Sequence, residues 1–226
     1  MQDEQINHRL ILGGGCFLAF GAAFMNTSLF LQTGTSVSHL TGDISRLSID
    51  AALRSPGVIA DMLNVASAAV SFLAGAFLAG FLIHHPTLDI KRPYGRVIMG
   101  IGLLFFASFL SQATAPIIAI SCAAFGCGLQ NALATRYRGI ILRTTHLTGL
   151  LTDFGTFLGM IARGYEIPKW KAAVPGVLIL FFFVGGLLSC LLSVKYKVST
   201  SLWAGILYVA GGLSWSFYKH VIMPRP

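Results

Sequence analysis

Six long apolar runs constrain this chain more than any other feature. They lie near Leu10 to Leu31, Gly57 to Ile83, Val97 to Ser111, Ala115 to Ala134, Ala172 to Val194 and Ser201 to Tyr218. A bilayer core about 30 Å thick takes about 20 apolar residues of helix per crossing, so each run is a candidate transmembrane helix. Only 11% of the 226 residues are charged, against roughly 25% in soluble domains, too few to cover a water-facing surface. The chain is read as an all-α polytopic membrane protein in a single membrane domain spanning residues 1–226, with the lipid bilayer as its main partner. This excludes a soluble enzyme, a secreted disulfide scaffold and a disordered chain.

Two stretches do not fit the simple pattern. Thr33 to Pro56 and Arg136 to Lys171 mix apolar residues with Asp, Arg, His, Thr and Gly. The distribution of basic residues decides how to treat them. With six crossings and both termini cytoplasmic, twelve lysines and arginines fall inside and four fall outside (Arg46, Arg54, Lys195 and Lys197). Two further full crossings would carry Lys91, Arg92 and Arg96 to the outside, so the mixed stretches are expected to be short, broken or re-entrant. The same spread of charge argues against nucleic acid as a partner, because no single basic patch forms despite the net charge of +8. Cys16, Cys122, Cys127 and Cys190 sit in apolar runs without a CxxC pair and are read as buried thiols, with no metal and no cofactor implied.

An internal repeat sets the expected architecture. Ala19-Phe20-Gly21 and Asn26 recur as Ala124-Phe125-Gly126 and Asn131 at an offset of 105 residues, and His39-Leu40-Thr41-Gly42 recurs as His146-Leu147-Thr148-Gly149 at an offset of 107. Two ordered matches near half the chain length point to homologous halves, 1–112 and 113–226. Each half holds three crossings, an odd number, so the halves insert with opposite orientation and form an inverted 3+3 repeat. That is a common plan of secondary transporters, in which irregular backbone at membrane depth surrounds a site between the halves. The two HLTG segments are the candidates for such backbone. Thr and Gly permit a helix to break, a Thr hydroxyl can cap the helix that follows, and a helix start favours an anion.

Gly128-Leu129-Gln130-Asn131-Ala132, followed by Arg143-Thr144-Thr145-His146-Leu147-Thr148-Gly149, resembles the second-half signature of the YoaK-like membrane proteins, a largely bacterial family built on a domain of unknown function (domain of unknown function 1275). The resemblance covers almost the whole chain. The first-half signature is matched in part: Gly21 is present, Asn26 stands near the expected acid, and Thr41-Gly42 is followed by Asp43 rather than Asn. The resemblance implies a six-helix protein of the bacterial inner or plasma membrane and supplies no substrate.

The candidate substrate-binding residues are therefore Thr41, Gly42, Asp43, Gln130, Asn131, Arg143, Thr144, Thr145, His146, Thr148, Gly149 and Asp153. Thr41, Gly42, Thr148 and Gly149 either line a site or simply break a helix. Arg143 could clamp an anion with its planar fork or serve as a cytoplasmic topology charge. His39 and His146 could carry protons or rest at the interface. Asp43 has Arg46 three residues on, which predicts a local ion pair, whereas Asp153 has no such neighbour. Asp61 falls one turn inside the second apolar run, where the helix dipole favours it. Asn26, Asn64, Gln130 and Asn131 are expected to hydrogen-bond between helices. Small residues repeat every four positions at Gly15, Ala19 and Ala23, at Ser67, Ser71, Gly75 and Ala79, at Ala119, Ala123 and Cys127, and at Gly155 and Gly159, which predicts close helix packing and could equally build a homodimer.

No nucleophile with a base, no HExxH and no paired acidic motif appears, so no enzymatic activity is expected. The leading expectation is a small secondary transporter or permease for a small solute, with anions among the candidates. A structural or sensory membrane subunit is the alternative, and an integral membrane enzyme stands behind both.

Overall fold

The computed structural model describes residues 8–82, 93–133, 136–137, 140–141 and 144–222. Eight α-helices follow one another: α1 (His8–Thr33), α2 (Leu40–Leu53), α3 (Val58–Leu82), α4 (Tyr94–Ser111), α5 (Pro116–Leu133), α6 (Leu147–Ala162), α7 (Lys169–Tyr196) and α8 (Thr200–Phe217). A short π-helical turn, Tyr218–Ile222, follows α8 at the end of the described residues. The strands among the described residues form one ladder of two residues each, Arg136–Tyr137 against Ile140–Ile141, too short to form a layer.

The six apolar runs become α1, α3, α4, α5, α7 and α8, and the two mixed stretches supply α2 and α6. Five helices, α1, α3, α4, α5 and α7, are long and apolar enough to cross a membrane. The sixth expected crossing, α8, has the same 18 residues as α4 and α5, but Thr200, Ser201, Ser214, Ser216 and three glycines dilute its hydropathy. At 14 and 16 residues, α2 and α6 would extend about 21 and 24 Å, short of a bilayer core.

Helix packing follows the small residues. α3 runs along α5, α1 along α7 and α4 along α8, with α4 also against α5 and α1 against α8. α2 rests on α3, and α6 on α7. The expected stripes on α1 and α5 line the interior: Ala19, Ala23, Ala119, Ala123 and Cys127 are all buried. Large apolar side chains point outward instead, with Phe77 74% and Phe81 77% exposed on α3 and Phe183 64% exposed on α7. An interior of Ala and Gly beneath a surface of Phe and Leu reverses the usual soluble pattern and fits a lipid surround, where close backbone approach rather than water drives helices together.

Glycine is required where backbones touch. A Cβ on Gly75 of α3 would fall on the Phe125 carbonyl oxygen of α5, and one on Gly185 of α7 would fall on the Phe20 carbonyl oxygen of α1. Gly155 and Gly159 behave differently from expectation. Nothing lies within 4 Å of a Cβ built on either, because α6 packs through Leu150 and Phe154 on its opposite face, the latter over Gly176 of α7.

Candidate functional site

The segment between α1 and α2 does not run away from the first helix. At Gly34 the backbone takes φ +67°, a left-handed value that favours glycine. The chain then doubles back so that Ser36, Val37 and Ser38 meet Asn26, about two turns before the end of α1. Asn26 Oδ1 accepts from the Ser36 hydroxyl (2.8 Å), the Val37 N–H (2.9 Å), the Ser38 N–H (3.1 Å) and the Ser38 hydroxyl (3.1 Å). One amide oxygen thus satisfies the backbone of an irregular segment that would otherwise carry bare donors.

The start of α2 completes this unit. The buried Asp43 carboxylate accepts the Ser36 N–H at 2.7 Å, and the Ser36 hydroxyl accepts the His39 N–H at 2.9 Å. Arg46 lies 3.8 Å from Asp43, as the sequence spacing anticipates, and also reaches Asp61 (4.0 Å) and the Gly34 carbonyl (3.2 Å). Asp61 is thereby tied to α2 as well as standing in the first turn of α3.

The second half arranges Thr144 and Thr145 in a related way. Thr145 donates its hydroxyl to Asn131 Oδ1 at 2.7 Å, and Gln130 Nε2 donates to the Thr144 hydroxyl at 2.9 Å. Both threonines are buried, each 3% exposed. Asn26 and Asn131 therefore hold the segments that lead into α2 and α6, rather than bonding between long helices as their sequence setting suggests. Gln130 does bond between helices. Its Nε2 donates to the Leu18 carbonyl of α1 at 3.0 Å, and its Oε1 accepts a short hydrogen bond from Tyr208 of α8. The Tyr208 hydroxyl also lies 3.3 Å from the Leu18 carbonyl, and its ring stands edge-on to Phe105.

The first HLTG segment approaches the second through His39. His39 lies beside the Thr145 backbone and within electrostatic reach of His146 and Asp43. Its Nδ1 pairs with the Ser38 hydroxyl at 2.7 Å, its ring meets Phe182 edge-on at 5.0 Å, and its Nε2 is buried. His39 precedes α2 and lies outside the five long apolar helices. Burial pushes its imidazole below the ordinary value of 6.5; the Thr145 backbone opposes this, His146 adds to it, and Asp43 opposes it.

His146, by contrast, is exposed and folds over its own helix start: a Cβ on Gly149 would collide with its ring, which explains the His-x-x-Gly spacing. Gly42 has open space in the same position, because His39 turns toward α7. Thr41 and Thr148 do not cap the helices as anticipated. The residues at the caps are His39 and His146, without side-chain caps, and both threonines are exposed in the first turn, their carbonyls accepting from Ser45 and Thr152. Asp153 is exposed on α6 and makes no ion pair among the described residues. Arg143, like Lys91, Arg92, Arg138 and Arg225 of the topology argument, lies outside the described residues.

Tyr208 is the site residue least visible in the sequence. It sits in an ordinary apolar run, and only its partner Gln130 marks the place. Ser36 and Ser38 were legible as polar residues before HLTG, but nothing in their spacing shows that the chain turns back on Asn26.

Bundled apolar helices with a lipid-fitted exterior define a multi-pass membrane protein. Its family follows from the sequence match: residues 14–213 fit the family described as "Protein of unknown function (DUF1275)", and the chain belongs to that family. No curated protein and no solved structure matches it.

Proposed function

We propose that this protein is a small permease or secondary transporter of the bacterial inner membrane, with both termini cytoplasmic, built as an inverted 3+3 repeat and passing a small anionic solute. The observation that carries this reading is that His39, at the head of the first HLTG segment, lies beside the Thr145 backbone and within electrostatic reach of His146 of the second.

The repeat is supported by reciprocity in the packing. If α1 to α4 correspond to α5 to α8, then α1 on α7 answers α5 on α3, α2 on α3 answers α6 on α7, and α4 on α8 answers itself. The motif residues follow suit: Gly75 against Phe125 answers Gly185 against Phe20, and Asn26 with Ser38 answers Asn131 with Thr145. In this reading α2 and α6 are re-entrant half-helices that start near one another from opposite sides. Each start offers unpaired N–H donors and partial positive charge. Convergent half-helix starts are how inverted-repeat transporters hold an anionic group at depth.

The test is anion permeability of reconstituted vesicles. Proteoliposomes given an osmotic step in nitrate, formate or chloride, with a potassium ionophore to balance charge, should swell faster than protein-free vesicles for at least one of the three. Equal rates for all three would remove the transport reading and leave a structural or sensory subunit.

A further inference from the structure

The correspondence between halves makes two helix seams counterparts, α1 with α8 and α5 with α4, and they differ in chemistry. Contacts fix the register. Gly21 of α1 lies under the Tyr208 ring and Gly126 of α5 lies under the Phe105 ring, so Tyr208 and Phe105 are equivalent. Gly102 and Gly205 confirm it reciprocally: a Cβ on Gly102 would stand 2.9 Å from the Gly205 carbonyl oxygen, and one on Gly205 would stand 3.1 Å from that of Gly102.

In this register five polar residues gathered at the α1–α8 seam, with Gln130 reaching in from α5 and Thr144 from the segment before α6, have apolar counterparts. Gln130 answers Met25 of α1, Tyr208 answers Phe105, Thr144 answers Val37, Ser28 answers Leu133 and Thr200 answers Val97. Both sets are mostly buried: Gln130, Tyr208, Ser28 and Thr200 on one side, Met25, Phe105, Val37 and Leu133 on the other. Ser28, Thr200 and Ser193 form a chain of hydroxyls, with Thr200 donating to Ser28 at 2.9 Å and lying 2.7 Å from Ser193. The hydroxyl at the far end of the α5–α4 seam, Ser108, donates to the Ala119 carbonyl across that seam. α1 and α8 also pack less extensively than α5 and α4.

Packing does not demand these polar groups. The counterpart seam closes with Phe105 and Leu133, together with Met25 from α1 and Val37 from the segment before α2, so helices of these kinds pack there without such groups. We propose that the α1–α8 seam is the solute's route between the HLTG segments and the C-terminal end of α1, and that the Tyr208–Gln130 hydrogen bond is its gate. This rests on the permease reading and refines its substrate class. The seam offers hydroxyl and amide donors without a lysine, arginine or carboxylate among its six named residues, which suits a small monoanion that sheds part of its water and exchanges the Tyr208–Gln130 bond for its own. The opposite seam is a permanently dry contact.

Two measurements test this, the first without any solute. With Cys16, Cys122, Cys127 and Cys190 replaced by alanine, Ser28→Cys and its counterpart Leu133→Cys are exposed in membrane vesicles to a permanently charged methanethiosulfonate reagent from both sides. Labelling of Ser28→Cys and none of Leu133→Cys is expected; equal labelling, or none at either, overturns the route. The second rewrites the gate as its counterpart with Gln130→Met and Tyr208→Phe together. Loss of nitrate flux is expected in a variant that still unfolds cooperatively and elutes as the unmodified protein does. Unchanged nitrate flux overturns the gate, and in either case flux in the unmodified protein upholds the permease reading separately.

Discussion

Gly75 of α3 rests directly on the carbonyl oxygen of Phe125 in α5, and the same relation holds between Gly185 of α7 and Phe20 of α1. Both phenylalanines belong to the repeated Ala-Phe-Gly motif, whose glycines lie beneath Tyr208 and Phe105. The motif is therefore a packing surface on both sides. Its backbone receives a glycine from one helix, and its own glycine receives an aromatic ring from another.

Alanine at Gly75 or Gly185 must push two helix backbones apart. Each is expected to cost about 1–3 kcal/mol, the usual range for overpacking a close contact. Gly80→Ala and Gly155→Ala, where a Cβ meets nothing within 4 Å, should be neutral or slightly stabilising. Thermal unfolding of the four variants in one detergent separates the two classes.

Asn26 supports the loop before α2 with a single oxygen. Asn26→Leu leaves the Val37 and Ser38 N–H groups without that acceptor, at roughly 1–3 kcal/mol for each buried group left unpaired. Asn26→Asp keeps the acceptor and should restore most of the stability. Among the described residues Asn131→Leu frees the Thr145 hydroxyl alone, and it should cost less than Asn26→Leu. Unfolding midpoints that rank the two leucine variants the other way would show that Asn26 does not carry this loop.

Much of this was legible in the chain, because lipid exposure and repetition both leave marks on composition. The six apolar runs correspond to six helices, and Asp43 with Arg46 forms the ion pair that a spacing of three residues implies. The misses share a physical cause. A side chain's partner across a fold leaves no local pattern, so Tyr208 looked like one more aromatic in an apolar run and Gly155 and Gly159 looked like packing residues. Thr41 and Thr148 looked like caps because Thr often is one, but the chain places histidines there. Gly149 owes its identity to the ring of His146, a contact within one turn that the His-x-x-Gly spacing does contain.

His39 makes stability depend on pH in a predictable direction. Its folded-state imidazole is held below the ordinary 6.5, first by burial. Between its folded and unfolded values the unfolded chain binds more protons, so stability is full above about pH 6.5 and falls as the pH drops toward the folded value. His39→Gln should flatten the decline in unfolding midpoint between about pH 7 and about pH 5. An undiminished decline would mean that another group is responsible.

The central claim is that the starts of α2 and α6 lie close to one another. His39→Cys and His146→Cys in one chain, with the four native cysteines replaced by alanine, can be joined in membranes by a short bifunctional methanethiosulfonate and the link located by mass spectrometry. Efficient joining of positions 39 and 146 is expected, with Gly164→Cys at the far end of α6 failing to join position 39. Joining of position 39 to 164 but not to 146, or to neither, would contradict the account.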